Sequence, residues 1–345
     1  DAVTLATDGT CTAKITNPPP GNRNLILNGA MNVHQRGGTS TAASAYCIDG
    51  WKTASGNTGV TVTTSRGDLS SSDTPYTSGL RKYLRVALSG AGTNNTNSYI
   101  ELIQRFEGQD IATSGWNYLS DTSYITLSFW FRCSTNQTFY AYPRTDDGTN
   151  RSYAFSFTAG GNNTWTKITK TFPGSSTAGL QIDNDNASGL SLFIIPHYGT
   201  DLTTSGSTIN AWKTYSGSDA APDYASTWLT AGASTFDITG VQLEVGDTAT
   251  DFEHRSYGDE LRRCMRYYWQ NLDNTYLFQY GANHKRIEIY FPVPMRTTPT
   301  YDHTGNNITI DSGSHQNEGF FCAYSASDYD GPGRNYSNVK FSAEL

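Results

Sequence analysis

Strand-length runs in which polar and apolar residues alternate recur through the first two thirds of this chain of 345 residues. Clear examples lie at 81–88, 124–132, 152–157 and 164–172. A period of two places one face of a strand against a core and the other face in solvent. Clusters of Gly, Asn, Asp and Ser separate the runs at regular spacing, as in sandwiches and jelly rolls. The sequence therefore predicts an all-β fold.

The chain divides into four parts. Residues 1–23 are interpreted as a linker or the remnant of an upstream region, because they end in the stiff spacer Pro18-Pro19-Pro20-Gly21. Residues 24–255 hold the strand signals and are predicted to form a jelly-roll β-sandwich. A short helix is predicted at 256–271, followed by a small C-terminal β domain at 272–345. That last part is small for an independent core, so we expect it to oligomerise.

The helix prediction depends on caps and periodicity. Ser256 is a suitable N-cap, with Asp259 and Glu260 in the first turn. An apolar stripe then follows with helical spacing at Leu261, Cys264, Met265 and Tyr268.

Charge and cysteine usage exclude several classes of function. The net charge is -7 and there is no run of Lys and Arg, which argues against nucleic acid or an anionic membrane as a partner. The five cysteines are scattered without a Cys-x-x-Cys pair, so they indicate neither a zinc site nor a disulfide framework. Free thiols suit a protein synthesised in a reducing cytoplasm. No segment is long and apolar enough to span a bilayer as a helix.

No nucleophile, phosphate-binding or zinc-protease motif is present, and none of the six histidines is paired at short spacing. Acidic pairs occur at Asp146 and Asp147, at Asp183 and Asp185, and at Asp328 and Asp330. They have three interpretations: carboxylates for glycoside hydrolysis, turn-forming residues, or ligands of a calcium ion. We favour turns, since these residues lie among Gly and Asn, and we expect a protein without enzymatic activity.

Aromatic side chains on loops can stack on the apolar face of a sugar ring. Four of them lie in polar, turn-rich stretches and form the predicted ligand face: Trp116, Trp212, Tyr215 and Trp228. In contrast, Trp51, Trp130 and Trp165 lie in strand-like runs and are expected in the core.

Three segments together carry a resemblance to a known family. The first joins 24–31 (NLILNGAM) with Gln35-Arg36-Gly37 and Asp49-Gly50-Trp51; the second joins Gln104-Arg105-Phe106-Glu107 with the strand at 128–131. The third joins 240–246 (GVQLEVG) with 251–257 (DFEHRSY) and 264–268 (CMRYY). In order and spacing the chain resembles receptor-binding or tail-fibre proteins of phages and prophages over most of residues 24–271.

This resemblance implies a virion protein that attaches to host surface polysaccharide without cleaving it. It also implies a homotrimer, joined to other virion proteins through its N-terminal part. Two alternatives stay open, namely a structural head-fibre, decoration or adaptor protein, and a polysaccharide depolymerase.

The first and last strands of the predicted sandwich also look like those of calcium-containing carbohydrate-binding jelly rolls. By position, that resemblance implies Asn28 and Asp237 as ligands of a structural calcium. Most of these modules have a doubled acidic residue before the last strand, whereas this chain has Ile238-Thr239-Gly240. No other cofactor is expected.

Overall fold

The computed structural model describes residues 4–5, 11–12, 23–271, 275–276, 278–279, 284–304, 319–325 and 335–345. The helices in these residues are short: α1 (Thr74–Thr77), α2 (Gly108–Ala112), α3 (Thr227–Thr230) and α4 (Tyr257–Met265). The strands as far as α4 are β1 (Thr4–Leu5), β2 (Cys11–Thr12), β3 (Thr39–Ser40), β4 (Ser44–Ile48), β5 (Trp51–Gly56), β6 (Val62–Asp68), β7 (Lys82–Leu88), β8 (Tyr99–Glu107), β9 (Tyr124–Cys133), β10 (Phe139–Thr145), β11 (Arg151–Ser152), β12 (Phe155–Phe157), β13 (Thr166–Pro173), β14 (Ser188–Tyr198), β15 (Lys213–Thr214) and β16 (Thr235–Val245). The strands after α4 are β17 (Tyr268–Asn271), β18 (Thr275–Tyr276), β19 (Phe278–Gln279), β20 (His284–Tyr290), β21 (Thr300–Thr304), β22 (Gly319–Ser325) and β23 (Asn335–Ser342).

Residues 24–255 form two antiparallel sheets that pack face to face. The larger sheet runs β15-β11-β10-β14-β8-β5-β4, with β12 paired to β10, and the smaller sheet runs β13-β9-β16-β7-β6-β3. In both sheets a late strand lies between two early ones: β14 separates β10 from β8, and β16 separates β9 from β7. Such insertions are typical of jelly-roll connections. The all-β, jelly-roll prediction is confirmed.

The main core lies between the two sheets and is rich in phenylalanine. Phe129 and Phe131 from β9 pack edge-on against Phe157 of β12, with ring centroids 5.4 and 5.1 Å apart. Phe236 of β16 closes the group at 4.8 Å from Phe131. Burial of each such ring stabilises the fold by about 1.5–3 kcal/mol, so this core fixes how the sheets face each other.

Several strands are buried on both faces, which period-two alternation alone does not predict. β14 and β16 are almost wholly buried, whereas β13 alternates as a strand with one wet face should. The second faces are covered by apolar clusters outside the sandwich. One cluster joins the larger sheet to the segment 199–224, and another joins the smaller sheet to the segments 69–80 and 252.

Helix α4 begins where the sequence predicts but ends early. Ser256 is the N-cap, and its side chain accepts a hydrogen bond from the backbone N–H of Asp259. The helix ends at Met265 rather than at residue 271, and β17 begins at Tyr268. The reason is long-range pairing: Tyr268 lies opposite Ser342 of β23, and this ladder replaces the last predicted helical turn.

The part after α4 is β structure, as predicted, in two sheets of order β17-β23-β18, with β21 on β23, and β19-β20-β22. Of the N-terminal part, β1 and β2 pair as a small antiparallel ladder. The polyproline spacer and the acidic pair at 328 and 330 lie outside the described residues. Among the described residues, no helix has the length and apolar character needed to cross a membrane.

Candidate functional site

The outer face of the larger sheet carries a patch of charged and aromatic side chains, which we call the Tyr215 face. It comprises Lys52, Glu101, Arg105, Arg144, Phe193 and Tyr215. These residues come from neighbouring strands β5, β8, β14 and β10, and from the loop after β15. On β8 they alternate with core residues, so period two brings them to one side.

Aromatic rings form the base of this face. Tyr142 stacks on Phe193 with ring centroids 4.7 Å apart, and Tyr215 lies 5.9 Å from Tyr142. The Arg144 guanidinium lies 4.8 Å from the Phe193 centroid and 5.0 Å from the Tyr215 centroid. Asp146 holds this guanidinium by accepting a hydrogen bond from its Nε at 2.9 Å. The Tyr215 ring is half-buried, so part of it is open to a ligand.

Glu101 is the central carboxylate of the face. Its Oε2 accepts a hydrogen bond from Tyr198 Oη at 2.5 Å. Burial raises the pKa of Glu101, while this hydrogen bond and the positive charges of Lys52, Arg105 and Arg144 act in the opposite direction. Lys52 has no hydrogen bond or ion pair within the described residues. The face therefore carries an ammonium group without a hydrogen bond, a carboxylate and a partly exposed aromatic ring on one side of the sheet.

Two of the predicted ligand residues belong to the core. Trp116 is only 3% exposed, and Trp228 is fully buried. Their indole Nε1 atoms donate to the backbone oxygens of Ser123 and Thr235. Polar neighbours in the sequence suggested exposed loops, but each indole reaches back into the sandwich. The prediction that these rings lie on an exposed ligand face is wrong.

The structure does not bring the remaining two predicted residues together. Trp212 is half-buried, donates its Nε1 hydrogen to Pro173 O at 2.7 Å, and packs edge-on against Tyr153 at 5.5 Å. It therefore pins the 209–214 segment to the sandwich. Only Tyr215 lies on the charged face described above.

The proposed calcium ligands have other partners. Asp237 is 1% exposed, and its two carboxylate oxygens accept hydrogen bonds from Arg85 and Arg132 at 2.8–3.0 Å. Asn28 is buried, with its amide donating to Val33 O and Asp49 O and its Oδ1 accepting from Val33 N. The guanidinium groups supply at Asp237 the positive charge that a metal ion would supply. No group of three or more metal-ligating side chains occurs among the described residues.

The acidic pairs in the described part of the chain hold loops. Asp146 binds Arg144 and accepts from Ser188 Oγ at 2.6 Å, and Asp147 accepts from the backbone N–H of Asp183 at 2.8 Å. Asp185 accepts from the backbone N–H of Ala187 at 2.9 Å. These contacts agree with the interpretation of these residues as turn-formers.

Sequence reasoning missed Glu101, Arg105 and Arg144 as site residues. A signal was present, because in strand β8 Glu101 and Arg105 occupy the side opposite to that of Ile100, Leu102 and Phe106. Two positions blur the alternation, since Ile103 lies on the side of Glu101 and Gln104 lies on the other. No local sequence pattern indicates that β8 and β10 both pair with β14, one on each side of it.

Comparison with known proteins gave structural matches alone. No family model matches, and no curated protein matches. The enzymatically active domain of tailspike protein 4 of bacteriophage CBA120 matches with TM-score 0.35 and 11% identity, over 65% of this chain and 22% of that one. A putative sugar binding protein from Bacteroides thetaiotaomicron matches with TM-score 0.34 and 11% identity, over 65% of this chain and 100% of that one. A family 11 carbohydrate-binding module from Clostridium thermocellum, in complex with a mixed-linked tetrasaccharide, matches with TM-score 0.29 and 13% identity, over 63% of this chain and 98% of that one.

The structural neighbours of the present chain are carbohydrate-binding β-sandwiches and a phage tailspike domain. The chain spans about a fifth of the tailspike domain that it matches.

Proposed function

We propose that this protein is a phage virion tail fibre or receptor-binding protein that recognises host surface glycans without cleaving them. The observation that carries the proposal is the Tyr215 face, where a half-buried ring and the unpaired ammonium of Lys52 flank a carboxylate. Sugars are bound by such mixtures of a flat apolar surface and directed hydrogen bonds. The virion assignment rests on the sequence segments at 24–51, 104–131 and 240–268 described above.

The mechanism is reversible binding at several copies of one weak site. One sugar unit of a glycan stacks on Tyr215, while hydroxyl or carboxylate groups of neighbouring units along the chain bind Glu101 and Lys52. One aromatic contact contributes about 0.5–1.5 kcal/mol, so a single site is weak. A homotrimer displays the face three times, and linked sites raise the overall affinity without new contacts.

The test is binding of labelled full-length protein to host cells, with extracted host surface polysaccharide as competitor. We expect saturable binding that the polysaccharide blocks, and about a tenfold weaker affinity for Tyr215→Ala and for Lys52→Ala. Leu119→Ala, which changes an exposed side chain elsewhere, is the matched control. If Tyr215→Ala and Lys52→Ala bind with the wild-type affinity, this site is refuted. Release of new reducing ends from the polysaccharide would refute the non-enzymatic assignment.

A further inference from the structure

The outer surface of the smaller sheet holds a cavity that the Tyr215 face does not use. Its volume is about 420 Å³, within the range of small-ligand sites. We call it the Trp130 pocket; its lining includes Ser128, Trp130, Lys167, Asp251, Phe252 and His254. It lies on the other sheet of the sandwich from the Tyr215 face.

The floor of this pocket is built by an irregularity in the sheet. Trp130 of β9 lies opposite Lys167 of β13 on one side and opposite Thr239 of β16 on the other. The ladder of β16 then shifts its register, with Gly240 at φ 60° in the bulge. A Cβ atom at Gly240 would lie 3.2 Å from Trp130 Cδ1 and 2.6 Å from Leu80 Cδ1. Glycine therefore keeps the space beside the indole open.

The wall of the pocket is held by Gln242. Its Oε1 accepts from the backbone N–H of Glu253 at 2.8 Å, and its Nε2 donates to Asp251 O at 3.3 Å. These bonds fix the segment that carries Phe252 and His254. His254 Nε2 donates in turn to Ser78 O at 2.8 Å, which ties the wall to the loop after α1. The pocket is thus a fixed feature of the fold.

The lining leaves polar groups unused. Ser128 Oγ and Lys167 Nζ have no hydrogen-bonding partner in the part of the chain that the structure describes. The Trp130 indole is half-buried, so its apolar cluster with Leu80 and Tyr83 does not cover the whole ring. Lys167 and Asp251 on the rim carry opposite charges, so the pocket has no strong preference for an ion. A half-open indole with hydroxyl, ammonium and carboxylate groups around it matches the amphipathic surface of an uncharged sugar ring.

We propose that the Trp130 pocket is a second carbohydrate site, which binds one pyranose unit of a neutral glycan against the indole of Trp130. The sugar's apolar face stacks on the indole, and its hydroxyl groups bind Ser128 and Lys167. This site extends the proposed function, since two sites on opposite sheets let one chain contact two glycan strands. Its residues are separate from those of the Tyr215 face, so each site can fail without the other.

The test is saturation-transfer NMR on the full-length protein with the methyl pyranosides of glucose, galactose, mannose and N-acetylglucosamine. We expect at least one of them to receive saturation, most strongly at the CH protons of one ring face. In a Tyr215→Ala background, which removes the stacking ring of the other face, Trp130→Ala should abolish the transfer, and Lys167→Ala should weaken the affinity about three- to tenfold. Lys167 is exposed, so that variant keeps the test decisive if Trp130→Ala fails to fold.

The two faces supply each other's controls. Tyr215→Ala and Lys52→Ala should keep the pyranoside signals that depend on Trp130, just as Lys167→Ala should leave binding at the Tyr215 face unchanged. The proposal is overturned if no pyranoside binds the wild-type protein, or if Lys167→Ala and Trp130→Ala bind as well as wild type. Loss of the signals in Tyr215→Ala would move the binding to the other face and would also overturn it.

Discussion

His197 is a buried base whose ionisation should control acid stability. It is 1% exposed, its Nε2 lies 3.0 Å from Ser98 Oγ, and its Nδ1 has no hydrogen-bonding partner within the described residues. Burial lowers its pKa from 6.5 to about 4. The unfolded chain therefore binds a proton at higher pH than the folded chain does. Stability present above pH 6.5 is lost as the pH falls toward 4.

We expect this residue alone to remove about 3 kcal/mol of unfolding free energy over that pH range. Urea unfolding at about pH 7 and about pH 4.5 measures the loss. His197→Gln should show a smaller loss than wild type, because glutamine takes up no proton. Leu119→Ala, a change at an exposed side chain that does not titrate, should keep the wild-type loss. Equal losses in His197→Gln and wild type would contradict the assignment.

Asp237 should stabilise the fold through arginine and not through a metal ion. Its carboxylate lies between Arg85 and Arg132, each at 2.8 Å. We expect Asp237→Asn to lower the unfolding free energy by about 3 kcal/mol, since both guanidinium groups lose a charged partner. The wild-type melting temperature should be the same with EDTA and with calcium. A calcium-dependent rise that disappears in Asp237→Asn would instead support the metal interpretation.

At the scale of single elements, Gly240 sets the shape of the smaller sheet. At φ 60° a side chain is strained by about 1–2 kcal/mol, and a Cβ would also press on Leu80. We expect Gly240→Ala to lower the unfolding free energy by at least that amount. Gly90→Ala is the matched control, because its Cβ would meet no atom within 4 Å. Equal stabilities of the two variants in urea would show that the bulge tolerates a side chain.

Strand existence and fold class could be predicted from the sequence, because alternation reports directly on which face is buried. The residue at which α4 ends could not be predicted in this way. Cys264 and Tyr268 continue a helical stripe, yet Tyr268 pairs with Ser342, more than seventy residues later in the chain. The tryptophans show the same limit. Trp51 is buried as predicted, whereas Trp130, which was expected in the core, lines an open pocket because its side of the strand faces outward.

Across the whole molecule, the segment 340–345 joins the C-terminal β structure to the sandwich. Arg36 is the centre of this junction: its guanidinium stacks on Tyr268 at 3.5 Å, contacts Glu344 at 2.5 Å and lies 3.8 Å from Asp49. Arg105 of the Tyr215 face donates to Leu345 O at 2.6 Å. Glu344 and Leu345, which follow β23, therefore hold the C-terminal β structure against the sandwich, and Leu345 binds the sheet that carries the proposed ligand face. A fixed junction of this kind would keep that face in a set orientation in an oligomer.

Glu344 should accordingly couple the two parts during unfolding. Glu344→Gln keeps the shape but removes the charge-assisted hydrogen bond to Arg36, and we expect a loss of about 1.5–3 kcal/mol. Hydrogen exchange should then accelerate in β17 and β23 before it does in β9 or β16. Lys340→Ala is the control, because its ion pair with the exposed Asp302 is 3.9 Å long and should contribute under about 1 kcal/mol. If the amide hydrogens of Glu344→Gln exchange as fast as those of Lys340→Ala, the buried ion pair does not hold the junction. Its backbone hydrogen bonds would then hold it, together with Arg296, which donates to Ala343 O at 2.8 Å.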